Sequence, residues 1–490
     1  MNDVSGVVAT EDVLSREEQK RQPLYAGRVK VYPKSIRGDI RRIKWIALMV
    51  FLGAYYLAPW LRWDRGPGVP DQALLIDLPA RRAYFFWIEI WPQEIYYIAI
   101  LMIMGAFGLF LATSIGGRVW CGFACPQTVW TDLFMQVERW IEGDRGARIR
   151  LDKSPLSAKK VSRKVLKHTV WLLIAFATGG AWIMYFKDTP TLIGDYFTGQ
   201  SSFSVYFFTG LFTTTTYLLA GLAREQVCTY MCPWPRFQAA LLDEDSLVVT
   251  YRAWRGEPRG PHRKNETWEG RGDCIDCKQC VAVCPTGIDI RDGLQLECIG
   301  CGLCVDACND VMDRIGRPKG LIAFDSERNR LAHEAGRESL PVRLIRLRTV
   351  IYVVILAAIA TSFLAVVTSR SDLDVNVLHD RNPLFVKLSD GGIRNGYTLK
   401  ILNKAREPRR FDLTLEQPQA GALQVVGLDD AGGAGVVLEA LPDSVATYQV
   451  YVRLPAAEGA QATQPLIFHL ADRESGDLVR AESIFRGPGK

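Results

Sequence analysis

Five stretches of this chain are so long and so apolar that they dictate most of its architecture. They run approximately from Trp45 to Leu61, Ile95 to Ile115, His168 to Phe186, Phe203 to Ala223 and Val350 to Thr368. Each is long enough to cross about 30 Å of hydrocarbon as a helix. Lipid offers no water to exposed N–H and C=O groups, so such segments fold as helices rather than as open strands. Trp and Tyr gather at their ends, at Tyr55, Tyr56, Trp60, Trp63, Tyr96, Tyr97, Trp171 and Tyr185, as interfacial rings do. The first run starts near Trp45, and it is too long for a signal peptide, so it reads as a true span.

Charge orients these spans. The formal net charge is +6, but its Lys and Arg residues crowd beside the apolar runs. Lys34, Arg37, Arg41, Arg42 and Lys44 precede the first span. A long basic loop from Arg139 to Lys167 follows the second, and Arg343, Arg346 and Arg348 precede the fifth. All of these fall on one side if the N-terminus is cytoplasmic, and five spans then put the C-terminus outside. Without a basic stripe interleaved with stacking aromatics, the charge gives no reason to expect a nucleic-acid partner.

The organisation expected is a multi-domain membrane protein. Residues 1–44 form a cytoplasmic tail, 45–249 a four-span membrane domain, 250–340 a cytoplasmic ferredoxin-like domain, 341–370 the fifth span and 371–490 an external domain. The last region alternates short apolar strands with Gly, Pro, Asp and Asn, as in Tyr397-Thr-Leu-Lys-Ile-Leu and Ala446-Thr-Tyr-Gln-Val-Tyr-Val. That rhythm predicts a small β-sandwich, and with no Cys and no catalytic cluster it reads as a docking or spacer domain.

Eight of the twelve Cys residues form two tandem runs. The first is Cys274-x-x-Cys277-x-x-Cys280-x-x-x-Cys284-Pro285, and the second is Cys298-x-x-Cys301-x-x-Cys304-x-x-x-Cys308. This is bacterial ferredoxin spacing, in which three thiolates grip one cubane and the fourth reaches the neighbouring one. The expected ligand sets are Cys274, Cys277, Cys280 and Cys308 for one [4Fe–4S] cluster, and Cys298, Cys301, Cys304 and Cys284 for the other. Gly300 and Gly302 let backbone amides approach the sulfurs. Structural zinc sites use two Cys-x-x-Cys pairs with a longer gap, which these runs do not show. Asn309 stands where a proline usually follows the last cysteine, which puts the local turn in question.

The other four cysteines form matched pairs. Arg118-Val-Trp-Cys121-Gly-Phe-Ala-Cys125-Pro126 follows the second span, and Arg224-Glu-Gln-Val-Cys228-Thr-Tyr-Met-Cys232-Pro233 follows the fourth. A lone buried Cys is usually a small hydrophobe. Two matched pairs at the same depth instead predict one shared metal or redox site. The i, i+4 spacing puts each pair on one helix face, unless the prolines end or kink it. Soft thiolates favour Cu(I), zinc or iron–sulfur iron. Arg118 and Arg224 are expected to hold these thiols ionised. The five His residues show no metal-ligand spacing.

These motifs resemble those of the CcoG (FixG, RdxA) family of cytochrome oxidase accessory proteins. The resemblance spans nearly the whole chain, through Gly117-Arg-Val-Trp-Cys-Gly-Phe-Ala-Cys-Pro-Gln-Thr-Val-Trp130, Val227-Cys-Thr-Tyr-Met-Cys-Pro-Trp-Pro-Arg-Phe-Gln238, Arg255-Gly-Glu-Pro-Arg-Gly260, the eight-cysteine insert and Asn395-Gly-Tyr-Thr-Leu-Lys-Ile-Leu-Asn-Lys404. It implies an immunoglobulin-like periplasmic domain and a place in the bacterial inner membrane. It also implies reduction of Cu(II) to Cu(I) for assembly of a cbb-type haem–copper oxidase. The implied partners are a cytoplasmic electron donor, a copper transporter or chaperone, and the oxidase assembly machinery; a homo-oligomer stays open. Two alternatives stand beside this reading. One is a quinol-linked membrane ferredoxin, since related proteins share Cys-x-x-x-Cys-Pro pairs. The other is a non-enzymatic assembly scaffold.

Overall fold

The computed structural model describes residues 30–488 except 67, 263–266, 339, 370–372, 406, 419, 429–434 and 457–460. Most of the predicted N-terminal tail therefore lies outside the described residues. The chain divides into two units, the first ending at Phe363 and the second beginning at Leu364.

Five helical stretches are long and apolar enough to cross a membrane: Asp39–Trp60, Pro92–Gly116, Ala158–Ile183, Phe203–Ala223 and Leu347–Thr368. The helices used below are α1 (Asp39–Leu57), α2 (Tyr96–Gly116), α3 (Pro126–Glu142), α4 (Ala158–Ile183), α5 (Phe203–Thr216), α6 (Leu303–Arg314) and α7 (Leu347–Thr368). Two of them start well before their apolar windows. Lys and Arg are good helix formers, so α1 begins at Asp39 and α4 at Ala158 rather than at the edge of the apolar run. Ser157 caps α4 by accepting the Lys160 N–H.

Between the second and third spans, α3 is amphipathic rather than spanning. Phe134 and Val137 on its apolar face pack against Trp171 and Ala175 of α4 and against Ala220. The Trp171 indole donates to the Phe134 carbonyl at 3.0 Å, so the largest buried ring also satisfies its polar edge. A feature missed in the sequence is a three-stranded antiparallel meander over residues 74–90, between the first two spans. Its strands are three or four residues long, too short for a period-two pattern to register.

The cysteine-rich insert is closed at its base by an antiparallel pair, β1 (Val248–Tyr251) and β2 (Ile322–Asp325), in register from Val248↔Asp325 to Tyr251↔Ile322. Its two ends are thereby held together beside the span bundle.

The second unit is an all-β sandwich of β3 (Leu373–His379), β4 (Val386–Lys387), β5 (Ile393–Asn403), β6 (Arg409–Gln417), β7 (Ala422–Val425), β8 (Gly435–Ala440), β9 (Ser444–Leu454), β10 (Thr463–Asp472) and β11 (Leu478–Arg486). One sheet runs β7-β9-β5-β3 with β4 added to β5, and the other runs β8-β6-β10-β11. Tyr397, Leu399 and Ile401 alternate inward from β5 to meet Phe411, Leu413 and Phe468 of the facing sheet.

Candidate functional site

Two copies of one turn build the thiol sites of the insert. Asp276 and Lys278 flank Cys277 as Gly300 and Gly302 flank Cys301, and all four have left-handed backbones, with φ of 53°, 53°, 66° and 70°. Such turns aim successive N–H groups into one concavity, where anionic sulfur can sit. Asp276 tolerates this conformation and is tethered by Arg291 at 2.5 Å. The second copy requires glycine for space as well. A Cβ on Gly300 would lie 3.0 Å from the Arg118 side chain, and one on Gly302 would lie 2.9 Å from Phe324.

One cavity is lined by Cys274, Cys277, Cys280 and Cys308, with Tyr251, Ile275, Val311, Met312, Leu321 and Ile322. A second is lined by Cys284, Cys298, Cys301 and Cys304, with Val249, Ile288, Ile290 and Ile299; Cys280 borders both. The last thiol of each run therefore crosses to the other run's cavity. It does so by different means in the two runs. Cys284 leaves a short helix in extended conformation before Pro285. Cys308 stays inside α6, which continues through Asn309 to Arg314. A proline at 309 would break that helix. Asn309 instead extends it and accepts the Gly320 N–H at 2.9 Å, which answers the question its presence raised.

Burial pushes the Cys280 and Cys301 thiols up to about 11 and Cys308 to about 12. Ionisation of these sulfurs is thus driven by the metal they bind. Four soft donors in an apolar pocket, with amides turned inward, are what a [4Fe–4S] cluster requires, and both cavities fit one. Cys277 is exposed, whereas Cys301 is buried, so the first cavity reaches the surface of the insert and the second lies beneath it.

The remaining four cysteines lie against that second cavity. Cys121 and Cys228 share a packed cluster with Trp120, Trp234, Ile299, Cys301 and Leu303. Cys125 and Cys232 lie within electrostatic reach of both. The expected α-helical face is corrected here. The turns Trp120–Ala124 and Val227–Met231 are wound wider than an α-helix, and each is closed by an i to i+5 bond of 2.8 Å, from Cys125 N–H to Trp120 O and from Cys232 N–H to Val227 O. Pro126 and Pro233 disfavour helical conformation in the residue before them, so Cys125 and Cys232 turn out of the helix with ψ of 129° and 122°. Wide turns of this kind recur at functional sites.

The expectation that Arg118 and Arg224 keep the thiols ionised is corrected at Cys121 and Cys228. Burial, reinforced by the neighbouring thiols, pushes Cys121 and Cys228 up to about 12. Arg118 lowers Cys121, but burial outweighs it. Arg224 is committed to Glu138 at 2.9 Å.

Polar side chains that sequence reasoning missed fasten the site. Arg118 donates to the carbonyls of Leu296 and Cys298, and Lys44 donates to the Gly122 carbonyl at 3.1 Å. Arg41 and Lys44 both reach Asp132, at 2.7 and 3.9 Å. Asp306, inside the last Cys-x-x-x-Cys, accepts the N–H groups of Ile40 and Arg41 at 3.2 and 2.8 Å and so caps the first span. Cys121 Sγ donates to Gln238 Oε1 at 2.9 Å. Their signal in the sequence was ambiguous: Arg41 and Lys44 read equally well as markers of topology. At Gly122 the backbones touch, since a Cβ there would meet Gly300 O at 2.9 Å and Cys301 Cα at 3.0 Å.

A bundle of apolar helices, two four-thiol cavities and a β-sandwich define a membrane iron–sulfur electron-transfer protein. Residues 98–148 match the family described as "4Fe-4S binding domain", and 223–327 match "4Fe-4S dicluster domain". Residues 363–488 match the "IG-like fold at C-terminal of FixG". The nitrogen fixation protein FixG of Rhizobium meliloti is 49% identical, over 96% of this chain and 95% of its own. Protein RdxA of Cereibacter sphaeroides is 48% identical, over 95% of this chain and 99% of its own. Among solved structures, a FixG-related protein from Vibrio parahaemolyticus is 21% identical, covers 24% of this chain and 99% of its own, and has a TM-score of 0.20. The chain belongs to the FixG/RdxA family.

Proposed function

We propose that this protein reduces Cu(II) to Cu(I) at the thiol quartet of Cys121, Cys125, Cys228 and Cys232, as a step in assembling the copper centre of a cbb-type oxidase. The observation that carries this reading is the backbone contact between Gly122 and the Gly300–Cys301 turn, which sets the quartet directly against the second cavity. In the reading, Cys274, Cys277, Cys280 and Cys308 hold one cluster, and Cys298, Cys301, Cys304 and Cys284 hold the other. The bound clusters supply one-electron storage and transfer. One electron from a reduced cytoplasmic donor matches one Cu(II) converted to Cu(I), so no proton or leaving group moves.

The protein's own residues do the positioning. Arg118 holds the quartet's turn to the Leu296 and Cys298 carbonyls at the start of the second run, and Lys44 holds it to the first span. Soft sulfur favours Cu(I) over Cu(II), which helps drive the reduction. Either copper on the thiols, or a cluster on the thiols that serves copper at its edge, satisfies this role. In the proposed topology the N-terminus and insert face the cytoplasm, and the β-sandwich lies across a bacterial inner membrane, where a copper transporter or chaperone and the oxidase machinery would meet it.

The test uses full-length protein reduced with dithionite under nitrogen and then mixed with Cu(II). Iron–sulfur absorption is expected to recover with formation of Cu(I), and the Cys121→Ala, Cys228→Ala double variant is expected to lose this recovery. A double variant that reduces Cu(II) as fast as the parent refutes the assignment. Rapid oxidation of quinol by the parent, with no response to Cu(II), would favour a quinol-linked role.

A further inference from the structure

Residues 98–148 match a 4Fe-4S binding domain, yet they contain only Cys121 and Cys125. Two thiols cannot complete a cubane, which takes four. The missing pair stands opposite: Cys228 and Cys232 come from the repeated turn, and Cys228 packs in the same cluster as Cys121. We infer that Cys121, Cys125, Cys228 and Cys232 together hold a third [4Fe–4S] cluster, at the border between the span bundle and the ferredoxin insert. This inference rests on the quartet's proposed place in electron transfer and says what fills it.

Three observations favour a cubane over a single copper ion. The first is donor number. Cys228 packs in one cluster with Cys121, and Cys125, Cys228 and Cys232 all lie within electrostatic reach of Cys121. Four thiols thus gather at one place, which is the number a cubane takes.

The second is hydrogen bonding. The buried Arg118 Nε–H and the buried Trp234 indole N–H have no acceptor among the described residues. Trp234 packs in the cluster that holds Cys121 and Cys228, and Arg118 is bonded to the adjoining turn. A buried donor without an acceptor costs about 1–3 kcal/mol. A cubane adds its sulfides to the four thiolate sulfurs as acceptors, whereas a copper ion adds none beyond the thiolates.

The third is charge. With all four thiols ionised as ligands, one Cu(I) leaves about three negative charges, whereas an oxidised [4Fe–4S] core leaves about two. A largely desolvated site that engages all four thiols favours the smaller charge. The local backbone is also of the right kind, since each second cysteine is followed by proline, as Cys284 is in the insert.

The test is iron and acid-labile sulfide per chain, measured on full-length protein purified and reconstituted under nitrogen, with copper determined in the same sample. The expected parent value is about twelve of each, against about eight if only the insert is loaded. The Cys121→Ser, Cys228→Ser variant is expected to fall by about four and to keep the signals of the insert clusters. Trp234→Phe, which spares every ligand, is expected to keep the iron and alter the electron paramagnetic resonance signal of one cluster. A parent at about eight, unchanged in the double variant, overturns the inference, as does copper lost in that variant in place of iron. The parent count decides even if the double variant does not fold. Cu(II) reduction is measured alongside: twelve iron without reduction leaves the third cluster standing and removes the copper function, and eight iron with reduction does the reverse.

Discussion

At the scale of single residues, the span bundle is organised around a buried carboxylate. Glu138 meets Arg148 at 3.0 Å, Lys167 at 3.4 Å and Arg224 at 2.9 Å, all beneath the surface. Burial alone would raise its pKa, but Arg224, Lys167 and Arg148 together bring it down to about 2. The carboxylate is therefore more acidic folded than unfolded, where about 4.3 is usual. Its stabilisation is present in full above the unfolded value and is lost as pH falls toward 2. Glu138→Gln leaves buried cations uncompensated and is expected to cost roughly 3–5 kcal/mol at neutral pH. Thermal unfolding in detergent should show that deficit narrowing between pH 5 and pH 3. A deficit that does not depend on pH would mean that shape, not charge, matters at this position. The consequence reaches the site, because Arg224 begins the segment that carries Cys228.

Among the elements, α6 does the most joining. Its N-terminal half supplies Cys304, its middle supplies Cys308, and between them Asp306 caps the first span. One helix thus ties both thiol cavities to the membrane bundle. Asn309 is where this helix departs from the usual ferredoxin pattern. Asn309→Pro, although it restores the common Cys-Pro pair, removes a helical N–H and the partner of Gly320. It is expected to destabilise the protein by about 3 kcal/mol or more. Iron should be lost first from the cavity that contains Cys308. Retention of full iron with an unchanged unfolding temperature would show that α6 can end early at no cost.

For the whole molecule, the arrangement depends on the number of spans. Two of the five, Pro92–Gly116 and Leu347–Thr368, bury little of themselves against the protein, as helices facing lipid do. With five crossings, tags beside Met1 and within the insert should be reached from one side of the membrane and a tag at Lys490 from the other. Both termini accessible from the same side would require an even number of spans. Met1 and Lys490 lie outside the described residues, so this rests on the helices between them.

The spans, the two cysteine runs and the β-sandwich were legible in the sequence, because each rests on a local rule. An apolar run must become a helix in lipid, ferredoxin thiols repeat at fixed intervals, and strands alternate. What sequence could not supply is what depends on elements meeting. The wide turns at Cys121 and Cys228 arise where a helix runs into Cys-Pro, and their conformation is set by i to i+5 bonds that no residue pattern announces. The state of those thiols was misread for a related reason. Arg118 and Arg224 are near in sequence, but in space one binds carbonyls and the other binds Glu138, and burial decides the outcome. The contact of Gly122 with Gly300 and Cys301 joins residues nearly two hundred positions apart. Only folding brings that pair together, because the close approach needs glycine on both sides and a cap, Asp306, to hold the insert against the first span.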